Sequence, residues 1–313
     1  MIINNIEINT IRSGKGDCIH LRFIGDSGSP RNIIIDTGPT STSGEFRKLY
    51  EAIVNKDGFI DYLFITHYDD DHIGGVLKLA MSNLNLIIKQ AVFNAFRGEE
   101  PTPFLTATQN QRLFHALIKT DIECIGAVKD DVISLDGAKI TIIAPTKERI
   151  ASAMKEMEKA DTTFLSAARD WDMSLEALMK APYPGSDTSI SNKASIAFIF
   201  EYCGARMLFC GDAPADCLVD GLQKLDSKFD FIKLPHHGSI RNISEELLKT
   251  VKSDTFLICA DGKSHPDKQT IAKLLSEYGH INIIGNYEWW EQMLLPDEDS
   301  KYKDDLIFRL NDQ

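Results

Sequence analysis

The sequence predicts a layered α/β fold with mixed sheets, and three observations carry that expectation. Apolar runs with the period of strands interleave with helical stripes along most of the chain, so neither element type is confined to one end. Some neighbouring strand runs are joined by turn formers, as in hairpins, and others by a helical stretch, as in crossovers. The chain is also large enough, with 313 residues and 43% hydrophobic content, to fill the core such layers need. It reads as one domain over 1–313, with a helical insertion at 147–180 and a C-terminal extension at about 285–313.

The elements follow in order. Ile19-His20-Leu21-Arg22-Phe23-Ile24 alternates, and Asn32-Ile33-Ile34-Ile35-Asp36 follows the turn-rich Gly25-Asp26-Ser27-Gly28-Ser29-Pro30, so a hairpin is expected. Phe46, Leu49, Tyr50 and Ile53 share one helical face behind the polar starters Thr42 and Ser43. Tyr62-Leu63-Phe64-Ile65 is a buried strand, and Gly74-Gly75 is expected to open a short helix through Val76, Leu77 and Leu79. A strand about Ala91-Val92-Phe93 leads to a helix with Leu113, Phe114, Leu117 and Ile118 on one face. Residues 139–143 form a strand closed by Pro145.

Between 147 and 180 the texture turns helical. Ile150, Met154 and Met157 make one stripe, and Leu175, Leu178 and Met179 make another behind Ser174; this insertion or lid is expected to border the site. Strands at 195–200 and 206–210 make a second hairpin, and a helix with Leu218, Leu222 and Leu225 leads to a strand at 231–234. A helix capped by Ser244, a strand at 255–259, a helix with Ile271, Leu274, Leu275 and Tyr278, and strands at 281–284 and 305–309 complete the chain. Trp289-Trp290 is a candidate exposed patch for an oligomer contact, with a place in the core as the alternative.

Bulk properties narrow the function. A net charge of -12 argues against a broad electrostatic footprint for nucleic acid, although a narrow groove or bound divalent cations change the sign locally. The six cysteines include no CxxC pair, so reduced core thiols are expected. No run approaches the ~18 apolar residues of a membrane span, and Met1-Ile-Ile-Asn-Asn-Ile-Glu7 lacks the regions of a signal peptide, so a cytoplasmic protein is expected. Neither GxGxxG nor a Walker loop is present, which weakens nucleotide-fold readings.

Chemistry concentrates just past the ends of three apolar strands: His67-Tyr68-Asp69-Asp70-Asp71-His72, Asp212, and His236-His237. Two imidazoles among three carboxylates would pay repulsion and desolvation unless a cation sits between them. A lone Asp after a strand is often a turn or capping residue, and a His-His-Gly turn is often core, but the three clusters together point to one centre. Imidazoles and carboxylates without thiolates suit one or two divalent ions, zinc or manganese, and Asp212 suits a bridge. A hydroxide made on the metal at neutral pH is the expected nucleophile.

At these residues the chain resembles the metallo-β-lactamase superfamily, whose first motif is HxHxDH. Asp69 replaces the second His, and the resulting HxDxDH is similar to the soluble domain of ComEC-type competence DNA-uptake proteins and their stand-alone relatives. Ser13-Gly14-Lys15-Gly16-Asp17-Cys18 is similar to the N-terminal GxGD motif, Ile35-Asp36-Thr37-Gly38 to the IDxG strand end, and Asn192-Lys193-Ala194-Ser195 to the NxxS element. Gly211-Asp212, Lys233-Leu234-Pro235-His236-His237-Gly238-Ser239 and His265-Pro266 also match. The resemblance implies a four-layer αββα sandwich with the site at one edge of two sheets.

It further implies that His67 and Asp69 hold one metal, Asp71 and His72 the second, and Asp212 both. One of His236 and His237 completes the second site, and His236, the first residue past the strand and Pro235, is preferred. Asn192 stands where the family's middle His falls, which weakens the first site. Asp36, Asn192 and Ser195 support the centre, Asp71 contributes to catalysis, and His265 is placed to bind phosphate or protonate a leaving group. The implied activity is hydrolysis of phosphodiesters, in nucleic acid or a small nucleotide, with no membrane partner. Hydrolysis of a carbon-centred ester, lactone, lactam or thioester is the alternative, and a non-catalytic metal-binding or interaction protein is the third reading.

Overall fold

Two sheets, each laid down in chain order, form the centre of the fold; the computed structural model describes residues 1–82, 85–94, 105–120, 122–157 and 169–311. The first sheet runs β1 (Ile2–Ile3), β2 (Ile6–Thr10), β3 (Ile19–Ile24), β4 (Pro30–Ile35), β5 (Ile60–Ile65), β6 (Ile88–Phe93) and β7 (Glu123–Ile125). It is antiparallel as far as β4 and parallel beyond it. The second runs β8 (Val132–Leu135), β9 (Ala138–Ala144), β10 (Ala197–Tyr202), β11 (Ala205–Phe209), β12 (Phe231–Lys233), β13 (Thr255–Ile258), β14 (Ile281–Gly285) and β15 (Leu306–Leu310). It repeats the plan, antiparallel to β11 and parallel afterwards.

Parallel neighbours need crossovers, and helices supply most of them. α1 (Ser43–Asp57), α2 (Asp70–Ala80) and α3 (Leu105–Lys119) serve the first sheet. α4 (Lys147–Met157), α5 (Leu175–Lys180) and α6 (Ile190–Lys193) lie between β9 and β10. α7 (Ala215–Leu222), α8 (Glu245–Thr250) and α9 (Lys268–Tyr278) serve the second sheet, and α10 (Trp290–Met293) and α11 (Pro296–Asp299) precede β15.

Strand alternation sorts side chains between layers. Ile33, Ile35 and Phe64 face the other sheet and meet Phe198, Phe209 and Phe231, with the Phe64 and Phe198 rings 4.6 Å apart. Each such fully buried ring stabilises by roughly 1.5–3 kcal/mol. The alternate residues Ile34, Leu63 and Ile65 face outward onto Phe46, Ile53 and Val76 of the first helical layer. Leu175, Leu218, Leu247 and Leu274 cover the outer face of the second sheet. The result is the four-layer αββα sandwich.

Several details differ from the sequence expectation. The helix after β5 starts at Asp70, not at Gly74-Gly75, so Asp70, Asp71 and His72 occupy its first turn. Carboxylates are welcome there, beside unpaired N–H groups and the positive end of the helix dipole. The glycines are there because the helix lies against the 37–40 segment: a Cβ on Gly74 would fall 2.0 Å from the Thr40 backbone nitrogen, and one on Gly75 2.2 Å from the Thr37 carbonyl oxygen. α7 stops at Leu222, leaving Leu225 outside it and 39% exposed. Strands β1, β2, β7 and β8 were not anticipated; β1 and β7 are only two and three residues long.

Trp289 is buried and both tryptophans pack on Phe308 of β15, so the pair belongs to the second sheet's outer core, not to an exposed patch. The residues after β14 add a strand, and Asp299 forms a buried ion pair with Lys268 at 2.7 Å. Within 147–180, α4 and α5 are helical as expected; the Met157 side chain and residues 158–168 lie outside the described residues. The six cysteines form no disulfide among the described residues, and four of them are buried. Among the described residues no helix is long and apolar enough to cross a membrane.

Candidate metal centre

The site forms where strand ends of both sheets meet. Past β4, Asp36 adopts a left-handed backbone (φ 55°) and its carboxylate is fully buried. Thr66, just past β5, donates its backbone N–H to Asp36 Oδ1 (2.8 Å) and its hydroxyl to Oδ2 (2.7 Å). Asp36 Oδ2 also lies 2.7 Å from His72 Nδ1, which leaves His72 Nε2 facing Asp212 Oδ2 at 3.4 Å. His67 Nε2 stands 3.7 Å from Asp69 Oδ2 and 3.8 Å from Asp212 Oδ2. Asp69 is the N-cap residue of α2, and its Oδ2 accepts a hydrogen bond from Ser191 Oγ of α6 at 3.0 Å.

Asp212 comes from the second sheet, in the loop that follows β11 and next to Gly211. Gly211 is left-handed (φ 51°), and a Cβ there would fall 2.4 Å from Ser195 Oγ, the oxygen that accepts the Asp212 N–H at 3.0 Å. Asp212 Oδ2 then has four imidazole Nε2 atoms around it: His72 at 3.4 Å, His237 at 3.6 Å, His67 at 3.8 Å and His236 at 3.8 Å.

The histidine pair reaches this oxygen through an unusual turn. His236 (φ 47°, ψ 52°) and His237 (φ 54°, ψ 24°) are consecutive left-handed residues, followed by Gly238 at φ 84°. Left-handed backbone costs an L-residue roughly 1–2 kcal/mol, so the surroundings must hold it. His237 Nδ1 lies 3.0 Å from the Cys259 carbonyl oxygen and 3.2 Å from Asp17 Oδ1. His236 Nδ1 lies 3.0 Å from Asn242 Oδ1, 3.3 Å from Asn192 Nδ2 and 3.4 Å from Asp187 Oδ2. Asp17 is itself paired with the buried ammonium of Lys233.

The donor atoms fit a divalent cation. His67 Nε2, His72 Nε2, His237 Nε2 and Asp212 Oδ1 are buried with no hydrogen-bond partner. Each such atom costs roughly 1–3 kcal/mol when left unpaired, and the three imidazole nitrogens all face Asp212 Oδ2. Asp17, His72, Asp212 and His237 each offer a donor within 4.8 Å of the others. Nitrogen and oxygen donors without sulfur suit hard to borderline divalent ions.

The electrostatics carry the same strain. Burial, then the charge of His72, pushes His67 down to about 4. Burial, then Asp71, pushes Asp69 up to about 6. Burial alone would raise Asp212, yet the imidazoles of His72, His237, His236 and His67 hold it well below the usual carboxylate range. Burial opposes the charge on His236, but Asp212 and Asp187 outweigh it and raise the group to about 9.

The structure therefore brings together His67, Asp69, Asp71, His72, Asp212, His236 and His237, with Asp36, Asn192 and Ser195 behind them. His265 sits at the edge, its ring 5.1 Å from that of His236 and its buried Nδ1 unpartnered. The two rings of the His236-His237 pair differ in what they approach. His237, not His236, is the member of the pair that approaches Asp71 (3.9 Å) and His72 (rings 5.2 Å apart), because the left-handed turn carries the second ring inward past Cys259. Sequence reasoning missed the supporting roles of Asp17, Asp187, Lys233 and Asn242. Asp17 lay in a recognised motif and Lys233 was a charge closing an apolar strand; Asp187 and Asn242 gave no signal.

The family model for the metallo-β-lactamase superfamily matches residues 25–82, the stretch that holds Asp36 and the whole His67 to His72 cluster. Over that stretch the chain is similar to the metallo-β-lactamase superfamily. It is also similar to ComE operon protein 3 of Bacillus subtilis, at 21% identity over 289 residues. The match covers 87% of this chain and 31% of that protein, so the chain spans about a third of its relative. Among solved structures it is similar to the metallo-β-lactamase fold protein YhfI of Bacillus subtilis (10% identity, 97% of this chain and 96% of that one, TM-score 0.45). It is also similar to Zn(2+)-bound PqqB from Methylobacterium extorquens (13% identity, 95% and 85%, TM-score 0.46).

Proposed function

We propose that the chain is a metal-dependent hydrolase of phosphodiesters. The observation that carries this is Asp212 Oδ2, ringed by four imidazole nitrogens within 3.8 Å. Asp69 and Asp71 close the ring, Asp71 at 3.9 Å from His237 Nε2. His67, Asp69, Asp71, His72, Asp212, His236 and His237 would hold divalent cations, zinc or manganese, which would supply a water-derived nucleophile at neutral pH and neutralise charge on phosphorus.

The chain's own groups do the rest. Asp36 locks His72 by its Nδ1, which fixes the tautomer and the aim of Nε2. Lys15 Nζ, 3.4 Å from Asp71 and largely exposed, adds a positive charge at the mouth. His265 is pushed down to about 3 by burial and by the neighbouring His236 and His237. It therefore stands as a neutral imidazole, able to donate one N–H to a phosphoryl or leaving oxygen.

Two features support the substrate class. The HxDxDH and NxxS motifs, and the similarity to ComE operon protein 3, favour a phosphodiester over a carbon-centred ester. The net charge of -12 favours a short strand or small nucleotide over a long duplex. The test is one panel with Mn²⁺ or Zn²⁺: single-stranded DNA, RNA, cyclic dinucleotides, a lactone and nitrocefin. Cleavage confined to phosphodiesters is expected; turnover of the lactone or nitrocefin alone would overturn the proposal.

A further inference from the structure

We infer that His236 and His237 are both metal ligands and serve different cations: His237 completes the site of Asp71 and His72, and His236 completes the site of His67 and Asp69. Asp212 is common to both. The inference rests on the divalent-cation part of the proposed function and is independent of the substrate.

The backbone makes the double role available. In an extended chain consecutive side chains point to opposite faces. Two left-handed residues in a row instead bring both rings to the same oxygen, with Nε2 atoms 3.8 Å and 3.6 Å from Asp212 Oδ2. A turn built only to present one histidine would not need the same aim for its neighbour.

The surroundings sort the two rings to opposite sides. His237 Nε2 looks toward Asp71 and its ring neighbours that of His72. His236 rests on Asn192 at 3.3 Å, and the adjoining Ser191 holds Asp69 Oδ2 at 3.0 Å. Asp69 in turn faces His67 at 3.7 Å. Asn192 is an amide whose Nδ2 donates to Asp187 Oδ2 at 2.6 Å, so it supports His236 from behind.

The support behind each ring is also alike. His72 has Asp36 at its Nδ1 (2.7 Å), His237 has the Cys259 carbonyl (3.0 Å) with Asp17 at 3.2 Å, and His236 has Asn242 Oδ1 (3.0 Å) with Asp187 at 3.4 Å. A carboxylate or carbonyl oxygen at Nδ1 is the usual partner of an imidazole that ligates through Nε2. His236 is built like the other two. With it, each cation has three ligands of its own kind plus shared Asp212; without it, the first site has only His67 and Asp69.

The test counts ions. Metal-stripped protein is dialysed against Mn²⁺ or Zn²⁺, bound metal is measured by mass spectrometry, and circular dichroism confirms folding. Wild type is expected to hold two ions, and His236→Ala and His237→Ala one each, with His236→Asn repeating the first if alanine does not fold. Adding Asp69→Ala to His236→Ala is expected to remove nothing more, because both act on the same ion. Adding His237→Ala is expected to empty both sites. Two ions at wild-type affinity in both His236 variants, or loss of the last ion in the Asp69 double variant, would overturn the inference. A wild type that holds one ion overturns the two-site partition alone, and one that holds none overturns the metal centre itself.

Discussion

His72 shows how a single residue of the candidate metal centre is held in place. Its Nδ1 is fixed by Asp36, which is itself fixed by the backbone and hydroxyl of Thr66. Removing an orienting partner of this kind typically weakens metal binding about 10–100-fold. Asp36→Asn is therefore expected to lower affinity by that factor in a chelator competition, with secondary structure unchanged. An affinity equal to wild type would show that the dyad does not aim the ring. The His67 to His72 cluster was legible because its charges are adjacent in sequence and cannot all be satisfied by solvent or turn chemistry. Asp187 was not, since one Asp in a turn-rich stretch looks the same whether it faces water or an imidazole. Asp17 meets His237 across 220 positions, a distance that no local pattern spans.

At the scale of elements, periodicity identified most strands and helices, while the start of α2 was hidden. Asp70, Asp71 and His72 are poor helix formers in isolation, yet they are accommodated in the first turn, where free N–H groups need acceptors. The two glycines looked like a helix start but serve close packing within it. Gly74→Ala would drive a Cβ into the Thr40 backbone, and overpacking of this kind costs about 1–3 kcal/mol. A fall in thermal midpoint is the expected outcome, and an unchanged midpoint would contradict the packing account. The end of α1 offers a pH test away from the centre. Asp57 accepts two bonds from Arg22, at 2.7 and 3.0 Å, and its carboxyl is held below the usual value, first by that guanidinium. A depressed folded pKa gives stability that is present above the ordinary carboxylate pKa of about 4 and is lost as pH falls through the lower folded value. Asp57→Asn is expected to destabilise at pH 7 and to converge with wild type in acid, as read from urea midpoints across pH 2–7.

The whole molecule places two similar half-folds back to back, and the centre exists only where both supply loops. The fold class was legible because alternation of strands and helices reflects layering directly. Which ring of the His236-His237 pair approaches Asp71 was not, because it depends on which way a left-handed turn throws two adjacent rings. Overall charge also bears on substrate. Proteins that neutralise 6–10 phosphates lose roughly 10³–10⁵ in affinity between 50 and 200 mM salt. With a net charge of -12, this chain is expected to bind a short oligonucleotide with a far shallower dependence, measured by anisotropy over that range. A slope as steep as that of a duplex-binding protein would point to a long basic groove instead. The central claim is tested most directly by turnover of bis-p-nitrophenyl phosphate, using metal-stripped wild type and His72→Ala, each reloaded with Mn²⁺ or Zn²⁺. Activity that returns with metal in wild type and stays absent in the variant is the predicted result. No turnover with either metal, or equal turnover in both proteins, would contradict it.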